Sequence, residues 1–134
     1  MVFPDHSDYS QQQTVRFMRK TDKKIDNQIR AALTDVCDTA LEEFDGFQWL
    51  THLVNYSNFP KSLRVVCVFD TNESLDSLMA TTNSDILSTL IQKKLLEIDV
   101  NITNMASHIH YDTEENCDKN HRGKWADRLA RIAT

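Results

Sequence analysis

The sequence predicts an α+β domain with the element order α-β-β-α-β-α, in which a small, mostly antiparallel sheet is covered by two main helices. Three observations predict this class: two long segments carry apolar residues at helical spacing, two short segments are rich in β-branched and aromatic residues, and a turn-forming segment joins those two. The chain has 134 residues, which is the size of one domain. Because residues 1–20 are polar without sustained periodicity, we expect a flexible tail over 1–20 and a single domain over 21–134.

The first predicted helix spans about residues 22–45. Thr21 can cap its N-terminus, and Gly46 follows it where a left-handed residue often ends a helix. Apolar residues recur along the segment at helical spacing, which predicts an amphipathic helix with one face toward the core. These residues are Ile25, Ile29, Ala32, Leu33, Val36, Ala40 and Phe44.

Two strands are predicted next, over 47–56 and 63–71, and the segment SNFPKS between them favours a turn. We therefore expect a hairpin. Val65 and Cys67 share one face of the second strand, and Val66 lies on the other face. Because both faces are apolar, this strand is expected to be buried on two sides, either as a central strand or against a partner.

Two aromatic residues of the hairpin have different expected roles. Trp49 lies in the first strand and is expected to pack on the first helix. Phe59 lies at the turn and has no evident core partner, so it is a candidate anchor for a protein contact.

The second half of the chain predicts four further elements. A short helical turn begins at Asn72, and the second main helix follows from Thr82. A third strand is expected over 107–112, followed by a final helix from Glu114 that Gly123 can break. The apolar face of the second main helix comprises Ile86, Leu87, Leu90, Ile91, Leu95 and Ile98.

Composition excludes several function classes. With 20 acidic and 15 basic residues the net charge is −5, so no overall positive field attracts nucleic acid or anionic lipid. The two glycines are too few for a dinucleotide fingerprint and do not form a Walker A loop, so no nucleotide cofactor is expected. Because no apolar run is long enough to span a membrane and the three cysteines are odd in number, we expect a cytoplasmic protein with free thiols and no membrane partner.

The segment SHIHYDTEENCDKNH contains four residues that can bind a transition metal, namely His108, His110, Cys117 and His121. Zinc is the candidate ion, because histidine and cysteine are its usual ligands. The spacing matches no established zinc motif, and each residue also has a structural interpretation in which Cys117 packs beneath the last helix. We therefore expect no cofactor, with zinc as the alternative.

Acidic residues at two strand ends offer a second candidate cation site. Asp70 and Asp112 each end a predicted strand, and Glu73 and Glu114 follow them. If the two strands were adjacent and parallel, these carboxylates would meet at one edge of the sheet. The alternative, which the sequence favours, is that both aspartates are strand exits that cap the following helices.

Basic residues form two clusters, which would create a local positive patch if the fold brought them together. Trp125 lies within the second cluster and could add an aromatic contact to a nucleic acid. The first cluster comprises Arg16, Arg19, Lys20, Lys23 and Lys24, and the second comprises Lys119, Arg122, Lys124, Arg128 and Arg131.

The segments MRKTDKKIDNQIRAALTDVC, FQWLTHLVNYSNFPKSLRVVCVFDTN and HIHYDTEENCDKNHRGKW resemble a family of small uncharacterised bacterial proteins, some of them labelled Fis-type transcriptional regulators. The resemblance covers most of residues 18–125 and implies a bacterial protein. A helix-turn-helix would need two helices joined by a turn, which we do not expect in DKNHRGKWADRLARIAT.

The order of elements is also similar to the ribosome-binding factor A family, which has a type II KH-like fold. The segments IRAALTDVC, LRVVCVFDT and HIHYDT fall where that family has its first helix, second strand and third strand. This chain has no glycine near the second helix, so the GxxG loop through which KH domains contact RNA is missing.

These observations predict a non-enzymatic cytoplasmic binding module that acts through protein or RNA contacts, and they are compatible with a homodimer. One alternative is a metal-binding protein or metal-dependent enzyme that uses the His/Cys cluster. Another is a transcription regulator. The expected binding residues are Lys119, Arg122, Lys124, Trp125, Arg128 and Phe59.

Overall fold

The computed structural model describes residues 19–133, in which five helices and one three-stranded sheet form three layers. The helices are α1 (Lys20–Glu43), α2 (Asn72–Met79), α3 (Asn83–Leu96), α4 (Glu114–His121) and α5 (Trp125–Ala133), and the strands are β1 (Phe47–Leu53), β2 (Arg64–Phe69) and β3 (Ile109–Thr113). The α+β class and the rough order of elements are confirmed. Of the predicted tail, only Arg19 and Lys20 lie within the described residues, and Lys20 begins α1.

The sheet has the order β1-β2-β3, and it is mixed rather than mostly antiparallel. β1 pairs with β2 as the predicted antiparallel hairpin, whereas β2 pairs with β3 in parallel. The parallel pairing follows from the connection, because α2 and α3 carry the chain back to the end of the sheet at which β2 begins. β2 is therefore the central strand, which is one of the two arrangements that its apolar faces predicted.

Helices cover both faces of the sheet. The prediction of two covering helices is therefore incomplete, because a further helix, α5, covers the second face. On the first face α1 and α3 pack on alternate residues of β2, including Val65 and Cys67. On the second face α5 packs on Val66 and Val68 through Leu129. These residues are all nearly or fully buried.

Trp49 lies on the second face of the sheet and not on α1, so its expected position is wrong. The reason is a β-bulge: Phe47 pairs with Phe69, but Trp49 pairs with Val68, one residue along β2. The extra residue reverses the alternation of side chains, which places Phe47 in the first-face core and Trp49 in the second. There Trp49 meets Trp125 edge to face, with 4.8 Å between ring centroids.

The last predicted helix is broken at Gly123, as expected. α4 ends at His121, and Arg122 and Gly123 both have positive φ, of 53° and 76°, before α5 begins. The expectation that this segment contains no helix pair is therefore wrong. The exposed residues Asp127, Ala130 and Arg131 of α5 include a carboxylate, which does not favour contact with DNA phosphates.

Candidate functional site

A cleft of about 470 Å³ lies beside the second face of the sheet, between β3 and the helices α4 and α5. We call it the histidine cleft. It brings together His110 and His121, which the sequence offered as metal ligands, and Arg128, which belongs to the second basic cluster. The complete lining is His110, Asp112, Asn120, His121, Arg128, Arg131 and Ile132.

Arg128 is fixed at the base of the histidine cleft. Its Nε donates to Oδ2 of Asp112 and its Nη2 donates to Oδ1 at 2.9 Å. Its Nη1 donates to the Asn116 carbonyl at 3.3 Å and to Nδ1 of His121 at 3.1 Å. The hydrogen bond with Asp112 raises the pKa of Arg128. Every nitrogen of the guanidinium is thus engaged, and its charge compensates a carboxylate that is 3% exposed.

The bond from Arg128 defines the proton position of His121. A guanidinium can only donate, so Nδ1 of His121 accepts, and the ring carries its proton on Nε2 while this bond is present. His110 is exposed on β3 and lines the same cleft. The histidine cleft is therefore lined by two imidazoles and Arg131, and the imidazole of His121 has an N–H to donate through Nε2.

The four predicted metal ligands do not converge. His108 belongs to the 3₁₀ turn before β3, and its Nδ1 donates to the Leu63 carbonyl at 2.7 Å. Cys117 is buried in the second-face core beneath α5, as its structural interpretation predicted. Within residues 19–133 no group of three or more histidine, cysteine, aspartate or glutamate side chains is arranged to hold a metal ion.

The two acidic strand ends are adjacent, because β2 and β3 are parallel, but their carboxylates have other partners. Asp112 is held by Arg128 and accepts from the Thr113 amide at 2.8 Å, and Asp70 accepts from the Thr71 amide at 2.7 Å. Thr71 and Thr113 cap α2 and α4 with their side chains. These strand ends therefore lead into the following helices, as the favoured interpretation predicted, but the capping residues are the threonines and not the aspartates.

The predicted binding residues lie in different environments. Lys119, Arg122 and Lys124 are exposed around the turn between α4 and α5. Trp125 is 3% exposed and its indole N–H donates to Glu114, so its ring is not presented to solvent for stacking on a base. The structural role of Arg128 in the ion pair with Asp112 also separates it from the exposed cations.

Phe59 packs against the molecule rather than standing free at the turn. Its ring lies 5.4 Å from that of Tyr56, centroid to centroid, and both side chains are partly buried against the first-face core. Tyr56 is therefore the packing partner of Phe59 that the sequence did not reveal. A role for Phe59 in a protein contact stays a prediction.

Within residues 19–133 the fold does not merge the two basic clusters, and Arg16 of the first cluster lies outside this range. Lys20, Lys23 and Lys24 are exposed on α1, which covers the first face of the sheet. Lys119 and Lys124 belong to the segment that covers the second face. A cleft of about 470 Å³ lies beside each cluster. The cleft beside the C-terminal cluster adds two histidines to the basic residues, so this side of the molecule is the stronger candidate for a binding surface.

A buried polar cluster on the first face was missed by sequence reasoning. Asp26 on α1 is 3% exposed, and its Oδ1 accepts from His52 Nε2 at 2.8 Å and from the Tyr56 hydroxyl at 2.6 Å. Arg30 donates to Oδ2 at 3.1 Å. One signal was available: Asp26 has the same helical phase as Ile29 and the rest of the apolar face, where an isolated aspartate needs partners.

The partners of Asp26 outweigh the effect of its burial. Burial raises the pKa of this carboxyl, but the hydrogen bond and charge of His52, the hydrogen bond from Tyr56 and the charge of Arg30 lower it below its ordinary value of 3.8. Burial, followed by the hydrogen bond to Asp26, raises the pKa of the Tyr56 hydroxyl. The cluster thus holds an ionised aspartate and a protonated tyrosine, an arrangement that joins α1 to β1.

Comparison of the chain with protein-family models, with curated proteins and with solved structures found no match. Among the helices of residues 19–133, none has the length and apolar character that crossing a membrane requires. The class that the fold and the histidine cleft define is a three-layer α+β domain with a polar cleft beside the C-terminal helices.

Proposed function

We propose that the protein is a non-enzymatic cytoplasmic binding module that holds an anionic group of a protein or RNA partner in the histidine cleft. One observation carries this proposal: the cleft's carboxylate, Asp112, is already neutralised by Arg128, while Arg131 and two imidazoles line the same space. An incoming phosphate or carboxylate would therefore meet donors without an uncompensated negative charge.

The chemistry of the cysteines supports a binding role over covalent catalysis. Cys117 is the thiol nearest the cleft histidines in sequence, yet it is buried, and burial raises its pKa to about 11. The pKa of the fully buried Cys67 is raised to about 12 for the same reason. A thiol of this kind is almost entirely protonated at neutral pH and is a poor nucleophile.

The test is equilibrium binding of labelled probes to purified protein and to an Arg131→Glu variant. The probes are an oligouridine of about 12 nucleotides, a length within the usual range for single-strand sites, and an oligoglutamate peptide. We expect one of them to bind and Arg131→Glu to weaken it by about tenfold, since one attraction becomes a repulsion. Arg128 is not a useful target, because its removal would leave Asp112 buried and unpaired.

Lys93→Glu provides the matched control, because Lys93 is exposed on α3 over the opposite face of the sheet. It changes the net charge by the same amount and should leave binding nearly unchanged. Equal thermal unfolding midpoints would show that both variants remain folded. Absence of binding by both probes, or equal effects of the two substitutions, would overturn the proposal.

A further inference from the structure

A second cleft, of about 540 Å³, lies where β1 and β2 are joined. We call it the hairpin cleft. Ile132 on α5 lines both this cleft and the histidine cleft, so the two adjoin at that side chain. The hairpin cleft is lined by Leu53, Val54, Asn55, Asn58, Lys61, Ser62, Arg64 and Ile132.

The two clefts share one sign of charge. Lys61 and Arg64 line the hairpin cleft, and Arg131 lines the histidine cleft beside the pair of Arg128 and Asp112. Among the described residues that line the two clefts, Asp112 is the one carboxylate. Together the two linings form a strip with basic side chains in both halves, built from residues far apart in sequence, on a protein of net charge −5.

The sheet fixes the direction of this strip. Val66 faces α5 on the second face, and Arg64, two residues earlier in β2, lies on the same face by alternation. His110 on β3 is paired with Val66 on β2, so it lies beside Val66 on the neighbouring strand. The strip therefore runs from the β1–β2 connection across the beginning of the sheet to α4, with Ile132 between its two halves.

The neutral groups in the hairpin cleft indicate what kind of anion fits. Asn55 accepts from the Ser57 amide through Oδ1 at 3.0 Å, which leaves its side-chain NH₂ as a donor next to Lys61. Asn58 adds a second amide side chain. Lysine, arginine and amide side chains together are the groups that contact phosphate and sugar in nucleic acids.

We propose that the strip binds the backbone of a single-stranded nucleic acid, whose successive phosphates occupy the hairpin cleft and the histidine cleft. This inference rests on the proposed function and extends it, because it names the partner class and adds a second contact region. Since Trp49 and Trp125 are buried, stacking on those rings does not contribute. Binding is therefore expected to be electrostatic and independent of base sequence.

The test compares oligouridines of about 4 and about 12 nucleotides, which span the usual range of single-strand site sizes. Affinities are measured by fluorescence anisotropy over a series of salt concentrations. We expect the longer probe to bind about tenfold more tightly or better, and Lys61→Glu and Arg131→Glu each to weaken it. Each should also reduce the slope of log K against log salt by about 0.7, the value for one phosphate contact on a single strand.

Arg64→Gln is the milder second variant in the hairpin cleft, and it should give the same reduction in slope. Lys93→Glu is again the control and should change neither affinity nor slope. All variants are first compared with the unaltered protein by thermal unfolding. This excludes loss of binding through loss of structure.

The failures of the two proposals are distinguishable. Weakening by Arg131→Glu without an effect of Lys61→Glu or Arg64→Gln would refute the extended strip and leave the histidine cleft as an anion site. Tighter binding of oligoglutamate than of oligouridine, with the same dependence on Lys61, would overturn the assignment to nucleic acid. No binding of any probe would refute both proposals.

Discussion

The imidazole of His52 lies 2.8 Å from the carboxylate of Asp26, and the two residues belong to different layers of the fold. Asp26 is on α1 and His52 is on β1, so their hydrogen bond fixes the helix against the edge strand of the sheet. Because both side chains are 4% exposed, solvent screens the interaction little. The stability of the first-face layer should therefore depend on the charge of one buried aspartate.

Replacement Asp26→Asn should destabilise the protein at neutral pH by about 2 kcal/mol, because it removes the charged acceptor of three hydrogen bonds. Since the pKa of Asp26 is lowered by folding, its contribution is complete above its unfolded pKa and is lost as pH falls through the folded value. The difference in unfolding free energy should thus shrink below pH 3.8. Urea unfolding over a pH series measures it.

Asp38→Asn is the matched control for this prediction, because Asp38 is an exposed aspartate on the same helix. It should change stability little at any pH. A loss in Asp26→Asn that persists undiminished at the acidic end of the series would contradict the assigned pKa direction.

Arg128→Met should cost about 3–5 kcal/mol, since it leaves the buried Asp112 carboxylate without its cation. The double variant Asp112→Asn, Arg128→Met removes the charge as well and should recover part of this loss. Chemical unfolding of Arg128→Met, of Asp112→Asn and of the double variant gives the coupling energy between the two residues. If the losses of the single variants simply add in the double variant, the ion pair does not have the assigned role.

Gly46→Ala should destabilise the protein by about 2 kcal/mol or more, because the residue has positive φ and no room for a side chain. A Cβ at this position would lie 2.5 Å from Ser74 Cβ and 2.6 Å from Asp70 Oδ1, and φ is +83°. Gly123→Ala is the comparison: its φ is +76°, but its Cβ would approach only Asp118 Oδ1, at 3.0 Å. Thermal unfolding should rank Gly46→Ala as the more damaging substitution.

The three cysteines should react with a thiol reagent far more slowly in the folded protein than in denaturant. Cys37, Cys67 and Cys117 are all buried, and burial raises the pKa of each thiol. Time-resolved labelling at mildly alkaline pH, followed by mass measurement, distinguishes the three sites. Rapid modification of Cys117 in the native state would show that α5 opens readily, and would weaken the case for a rigid histidine cleft.

The features that sequence reasoning found are those encoded by local periodicity. α1 was expected over 22–45 and runs from Lys20 to Glu43, and the two apolar faces of β2 correctly indicated a central strand. These follow from the repeat of 3.6 residues in helices and 2 in strands, which each segment carries by itself.

The features that it missed depend on relations between segments. The hydropathy pattern does not determine that β2 and β3 are parallel. The residue types around Gln48 also do not indicate the bulge that turns Trp49 to the second face. The sequence supplied His110 and His121 as candidate zinc ligands and Arg128 as part of a basic cluster, but it did not place them in one cleft. It did not supply Lys61, Arg64 or Ile132, because only the fold brings the hairpin beside α5.

The cover of the second face has a consequence for synthesis of the protein. β1, β2 and β3 all precede α4 and α5 in the chain, so a nascent polypeptide contains the complete sheet before the helices that cover Trp49, Val66 and Val68. During that interval one face of the sheet is an apolar surface open to water and to neighbouring chains. Translation products that end before α5 should therefore be prone to aggregation and should require chaperones. Their first-face core, by contrast, can already assemble.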